Sequence, residues 1–299
     1  MIYDIRHVTT YSYEAPVGYS LCALRLRPTS RAGQRVIDVQ IDIDPPAAKR
    51  IRRECFFGNS FEIVHIEAEH RELSVTARAR IAVSRPVAPA ATACWEDVRQ
   101  QAFSAKDLGP QSPAHFIYAS RVVTLDEPVV AYARESFPPG RQVLEGAVNL
   151  MERIWDDFDY DPKATLVSTP LGEAFEKKKG VCQDFAHIMI AGLRGVGLPA
   201  RYVSGYLRTV PPAGQERLEG ADATHAWVAV WCGPLDGWVG LDPTNKILVG
   251  DDHIILAEGR DYADVAPIDG VILSSGGQDV DVGVDVIPIA SENVPPTFA

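Results

Sequence analysis

The sequence predicts an α+β protein in which a β-sandwich-like domain is followed by a helical stretch and then by a second set of strands. Three patterns carry this expectation. The first 85 or so residues alternate apolar and polar side chains, the middle of the chain repeats apolar residues at steps of three and four, and alternation returns after Pro199. Strands, helices and strands thus occur in blocks, which argues against a doubly wound parallel sheet.

In the first block, "VIDVQIDID" sets Ile37, Val39, Ile41 and Ile43 on one face and Asp38, Gln40, Asp42 and Asp44 on the other. "LSVTARARIAV" does the same with Leu73, Val75, Ala77, Ala79, Ile81 and Val83. Such strands are half-buried and antiparallel, and Pro45-Pro46 and Gly58-Asn59 mark turns between them. The Pro/Ala-rich "RPVAPAA" from Arg85 reads as a linker, and residues 95 to 139 as partly helical, with Pro128 suited to a helix start. Val143, Leu144, Ala147, Val148, Met151, Ile154, Trp155 and Phe158 define a stronger helix that should end near Asp159. A further helix carries Val181, Phe185, Ile188, Met189, Gly192, Leu193 and Val196 on one stripe and stops at "GVGLP". "ARYVSGYL", "THAWVAVW", "GWVGLDPT" and the late "DVDVGVDVIPI" read as strands. The expected divisions are a β-rich domain over 1–85, a linker and helical segment over 86–139, a helix-and-strand domain over 140–265 and an acidic C-terminal segment over 266–299.

With 46% hydrophobic and 23% charged residues, the chain has the profile of an ordinary globular protein. Its formal net charge of -11 counts against nucleic acid and against an anionic membrane surface as partners. No run of about 18 apolar residues is present to span a bilayer. "MIYDIRHVTTYSYEAPV" lacks the apolar stretch of an export signal. The scattered Cys22, Cys55, Cys94, Cys182 and Cys232 show neither C-x-x-C nor disulfide spacing, and a cytoplasmic protein with reduced thiols is expected. Ten acidic residues against one arginine between 251 and 299 read as a solvated acidic face.

The stretch with most chemical content is "GVCQDFAHI", which places Cys182 in the first turn of an apolar helix behind Gly180. Unpaired N–H groups and the macrodipole at a helix start favour a thiolate, and the same N–H groups suit an oxyanion on an attacked carbonyl. Gly180 is expected to permit a tight entry turn. Alone, a cysteine at a helix start is more often a core residue, so partners decide. In "ATHAWVAVW", His225, Trp227, Ala229 and Trp231 share one strand face; in "GWVGLDPT", Trp238, Gly240 and Asp242 share another. If the "CGPLDG" hairpin pairs Trp231 with Trp238, Asp242 falls opposite Trp227 and diagonal to His225. That puts a carboxylate beside an imidazole, the orienting group a Cys–His pair needs. Zinc is the rival use of Cys182, His225 and Asp242, but short-spaced ligand pairs are missing, and neither metal nor cofactor is expected.

Taken in order, "GVCQDFAHIMIAGLRGVGLPARYVSGYL", "DATHAWVAVW" and "GWVGLDPTN" resemble the transglutaminase-like branch of the papain-like cysteine enzymes, in particular bacterial members with an N-terminal β domain. "HVTTYSYEAPV…LRLRP" and "NSFEIVHIEAEHRELSVTA" resemble the leading domain of that group. The resemblance implies a papain-like catalytic domain whose Cys-bearing helix packs on an antiparallel sheet. It implies Cys182 as nucleophile, His225 as general base and acid, and Asp242 as the residue orienting His225. It implies acyl transfer through a thioester from a protein or peptide substrate, with hydrolysis (protease or amidase) favoured over crosslinking. Gln183 and Tyr160 are secondary candidates for the cleft or oxyanion, Gln183 and Asp184 also for helix capping, and Trp227 for a cleft wall. His187 is expected to be structural. A non-catalytic binding module on the same fold, and a scaffold working through the acidic C-terminal end, stay open beside the enzyme reading.

Overall fold

The structure, a computed structural model, describes residues 1–209 and 223–289. The chain begins with six strands: β1 (Ile2–Val17), β2 (Ser20–Arg27), β3 (Gln34–Asp44), β4 (Lys49–Glu54), β5 (Ser60–Ile66) and β6 (His70–Val83). Helices α1 (Trp95–Phe103), α2 (Glu127–Arg134) and α3 (Val143–Asp157) follow, with a 3₁₀ turn over Pro113–Phe116. A short strand β7 (Asp159–Tyr160), helix α4 (Leu171–Lys177) and strand β8 (Lys179–Gly180) lead into α5 (Cys182–Gly195). Then come β9 (Ala200–Leu207), β10 (Ala223–Trp231), β11 (Trp238–Asp242), β12 (Ile247–Leu248), β13 (His253–Gly259), α6 (Tyr262–Val265), β14 (Ile268–Ile272) and β15 (Gln278–Ile289).

Two four-stranded antiparallel sheets, ordered β15-β1-β6-β3 and β14-β2-β5-β4, form a sandwich. Its core holds the apolar faces that the alternation predicted, including Leu73, Val75, Ala77, Ala79, Ile81 and Val83 of β6. The late strand is present as β15, and its partner was not legible: it runs along β1 from Ile2↔Ile289 to Tyr13↔Gln278. β14 closes the other sheet on β2. Both ends of the described chain therefore build one sandwich, and the helices and the third sheet are inserted between them. β15 buries Val284 and Val286 in the sandwich core, so the acidic end is woven into the fold.

The reading of residues 251 onward as a solvated acidic face holds only in part. Glu258, Asp261 and Asp285 are buried. Glu258 pairs with Arg31 at 2.7 Å and Arg201 at 3.0 Å. Asp261 accepts the backbone N–H groups of Val122 and Ala263. Sequence counts charge but not the distant partners that make burial tolerable.

The third sheet, ordered β12-β11-β10-β9-β13, is antiparallel. α5 packs on β9 and β10 of this sheet, its Ile188 and Met189 sharing one core with Ala226, Val228 and Val230, and α2, α3 and α4 pack in turn on α5. Gly195 lets α2 approach: a Cβ there would sit 2.2 Å from Val130 Cγ2. The helix stops at Gly197, whose φ of 89° is left-handed and suits glycine. Tyr206, Ile254 and Leu256 of the sheet reach into the sandwich core, so the two halves share packing. Among the described residues no helix is long and apolar enough to cross a membrane.

Candidate active site

Cys182 is the first residue of α5, and its entry is held by Asp184. Asp184 Oδ2 accepts the Val181 N–H at 2.9 Å and the Thr165 hydroxyl at 2.6 Å. A carboxylate two residues into the helix complements the macrodipole and occupies an otherwise orphan donor. Gly180 serves this contact rather than a left-handed turn, since it is not among the positive-φ glycines. A Cβ at residue 180 would lie 2.5 Å from Asp184 Oδ2. Cys182 keeps partial exposure while Phe185 and the rest of the stripe are buried.

His225 and Asp242 meet as the hairpin register requires. β10 and β11 pair from Trp231↔Trp238 to Val228↔Leu241, which carries Asp242 past Trp227 toward His225. His225 Nε2 lies 2.8 Å from Asp242 Oδ2. Nδ1 is left without a partner among these bonds, and the Cys182 thiol is close enough to act on the ring electrostatically. Burial works against a charged imidazole here. The bond to Asp242, the nearby Cys182 thiol and the charges of both outweigh it and raise His225 well above its ordinary value.

Two residues that sequence reasoning missed complete the site. His253 Nε2 lies 3.1 Å from Asp242 Oδ2. Its Nδ1 accepts the Gly250 N–H at 3.3 Å, which fixes the proton on Nε2 and makes that nitrogen the donor to Asp242. Asn245 Nδ2 donates to the same oxygen at 2.7 Å. The other oxygen, Oδ1, accepts the N–H groups of Thr244 at 3.0 Å and Asn245 at 3.2 Å, so the Asp-Pro-Thr-Asn turn wraps its own carboxylate. Asp242 is fully buried. Burial alone would raise it, but the bonds from His225, His253 and Asn245 hold it well below the usual carboxylate range.

The remaining candidates fall in three places. Tyr160 lies on β7, which pairs in parallel with β8 just before Cys182, and its ring is exposed. Burial of the hydroxyl and then the nearby Cys182 raise its titration point. The Gln183 amide donates to the Val167 carbonyl at 3.2 Å and so ties the 161–170 loop to the start of α5 beside Cys182. Trp227 is almost wholly buried and backs the site from beneath: its ring lies 6.1 Å from His225 and 5.2 Å, edge-on, from His253. Gly205 makes room for it, since a Cβ there would come within 2.5 Å of the indole. His187 is buried away from the cluster, accepts the Tyr262 N–H at 3.3 Å, and is pushed down to about 4 by burial.

Known proteins share both the fold and the sequence around this geometry. Residues 3–82 match the bacterial transglutaminase-like N-terminal region, and residues 130–243 match the transglutaminase-like superfamily. An uncharacterized protein of Mycobacterium tuberculosis is 38% identical over 97% of this chain and 94% of its own length. A protein-glutamine gamma-glutamyltransferase of Pseudomonas aeruginosa is 33% identical over 33% of this chain and 16% of its own. The crystal structure of a candidate cysteine protease from Cytophaga hutchinsonii superposes with a TM-score of 0.75 at 19% identity, covering 100% of this chain and 94% of that one. The chain belongs to the transglutaminase-like superfamily and has its α+β, papain-like fold with an N-terminal β domain.

Proposed function

We propose that this protein is a cysteine-dependent enzyme that hydrolyses an amide of a protein or peptide through a Cys182–His225–Asp242 triad. The observation that carries the reading is the 2.8 Å bond from His225 Nε2 to a deeply buried Asp242, on a ring whose other side is within reach of Cys182. Asp242 holds the imidazole in one orientation and stabilises its charged form. Cys182 and the protonated ring then form a thiolate–imidazolium pair.

The thiolate attacks the amide carbonyl, and the helix-start N–H of Cys182 donates a hydrogen bond to the developing oxyanion. His225 Nδ1 gives its proton to the leaving amine, the C–N bond breaks, and an acyl thioester remains on Cys182. The neutral ring next takes a proton from water, whose oxygen attacks the thioester and releases the acid and the thiolate. Asp242 stays ionised throughout. A second reading, transfer of the acyl group to a primary amine in place of water, is favoured by the glutamyltransferase relative. The partial exposure of Cys182 favours water as acceptor. A cytoplasmic, reducing compartment suits a chain whose five cysteines are all free thiols.

The test is incubation of wild type and Cys182→Ser with a peptide pool, with and without a primary amine, read by mass spectrometry. Cleaved or deamidated peptides that persist with amine present support hydrolysis. Amine adducts as the main product would replace it with transfer. Absence of both products, and of any thioester on Cys182, contradicts the enzyme reading.

A further inference from the structure

A second site lies beneath the first. A cavity of about 850 Å³ opens between the third sheet, the sandwich loops that carry Arg31 and Phe57, and the linker at Arg85. That volume is within the range of small-molecule pockets, and such pockets favour domain junctions. One wall is apolar, built from Val203, Trp227, Ala229 and Ile255, with Trp238 beside them. The other end is cationic. Arg31, Arg85 and Arg201 all line it, against Glu258 and Asp236.

Among the residues lining the cavity, three arginines meet two carboxylates, and Asp251 beside Arg85 accepts its backbone N–H at 2.7 Å. Both Glu258 oxygens are taken, one by Arg31 and one by Arg201. Arg85 spends its terminal nitrogens on neutral oxygens, those of Ala32, Gln34 and His253. Among the described residues no carboxylate lies within ion-pair distance of its guanidinium. Arg201 is nine-tenths buried and stacks 4.4 Å over the Trp238 ring. The Nε of each of the three arginines is buried and without a hydrogen-bond partner. Burial already holds Arg85 and Arg201 below the ordinary guanidinium value; Glu258 opposes the shift in both and Asp251 in Arg85, while Arg31 adds to it.

We propose that this cavity binds a small carboxylate with an apolar body, its anion at the arginine end and its body against Trp227 and Trp238. Guanidinium recognises carboxylate with charge-assisted, planar bonds, and the indole walls favour hydrocarbon. The bound molecule would stand one aromatic ring from His225, because Trp227 faces the cavity on one side and His225 and His253 on the other. None of this depends on the triad reaction, so binding should survive in Cys182→Ser.

The experiment is calorimetric titration of the full chain with octanoate and with 1-octanol, in wild type, Cys182→Ser, Ala229→Phe and Arg85→Met. Ala229→Phe fills the cavity. Arg85→Met, on the linker, removes a cation if the filled variant does not fold. Wild type and Cys182→Ser should bind octanoate at least about tenfold more tightly than octanol, as a charge-assisted hydrogen bond allows. Both cavity variants should weaken octanoate binding by at least about tenfold. Equal binding of octanol would remove anion recognition. Unchanged affinity in a folded variant would place the octanoate elsewhere. No octanoate binding at millimolar concentration would leave a cavity that holds water only.

Discussion

The sandwich and the third sheet both bury charge, and they do it differently. In the sandwich, Glu62 receives Arg27 through Nε and Nη2 at 3.2 and 3.1 Å, and Arg50 from the other side. Arg80, almost wholly buried, closes on Asp4 at 2.7 and 3.0 Å. Each of these carboxylates meets a counter-charge, and Arg27 and Arg50 go on only to the backbone carbonyls of Val39 and Ile41. In the third sheet, Asp242 collects three side-chain donors on one oxygen, and one of them, His225, also feels the charge of the Cys182 thiol, which remains partly exposed. A closed network holds a fold together; an open one directs charge toward a reactive atom.

The sharpest way to break this comparison is at the open end. Cys182→Ala or His225→Ala should lower turnover by roughly 10⁴-fold or more while the fold persists, since the members of such a unit fail together. Asp242→Asn should cost roughly 10³- to 10⁴-fold in kcat, because the amide NH2 must face N–H donors on one side or the other and the charge that stabilises the imidazolium is lost. Near-normal turnover in the folded Asn variant would assign the orienting role to another residue. Glu62→Gln reverses the pattern: stability falls by about 3 kcal/mol in a denaturant titration, as when a buried pair loses a partner, and kcat stays where it was. His253→Phe keeps the edge-on contact with Trp227 but removes one bond to Asp242. Turnover should drop roughly 10- to 100-fold, the worth of one hydrogen bond to a charged group.

The smallest effect expected is on stability against pH. His225 is raised from 6.5 to about 10, so its contribution is full below pH 6.5 and is lost as pH climbs toward 10. Asp242 is lowered from 3.8, so its contribution is full above that value and fades as pH falls below it. The stability gap between wild type and Asp242→Asn should therefore be widest between these limits and narrow on both sides. A gap that grows steadily to pH 10 would contradict the paired assignment.

Much of this site is legible in the sequence because its key contact is local. His225 and Asp242 sit on one hairpin, and the register that pairs Trp231 with Trp238 follows from alternation and a short turn. Cys182 is legible from the helix stripe that begins at it. His253 is not, because it lies on β13, separated from β11 by β10 and β9 in the sheet order, and no periodicity in "DDHIIL" points at Asp242. Asn245 lies three residues after Asp242 in the same turn, but Asp-Pro-Thr-Asn is satisfied as turn chemistry alone and gives no sign of the side-chain bond. The same limit explains β14 and β15. The alternation of the late strand is plain, whereas pairing of β14 with β2 and of β15 with β1, across more than two hundred residues, is a property of the whole chain.

The central claim, an open Cys182–His225–Asp242 network, is tested most directly by the reactivity of the five thiols. Wild type and His225→Ala would be treated with iodoacetamide and the modification of each cysteine followed by mass spectrometry. The account predicts that Cys182 reacts fastest in wild type, well ahead of Cys55 and Cys94, which are also partly exposed, and that His225→Ala removes this lead. Cys182 reacting no faster than Cys55 or Cys94, or keeping its lead without His225, would contradict it.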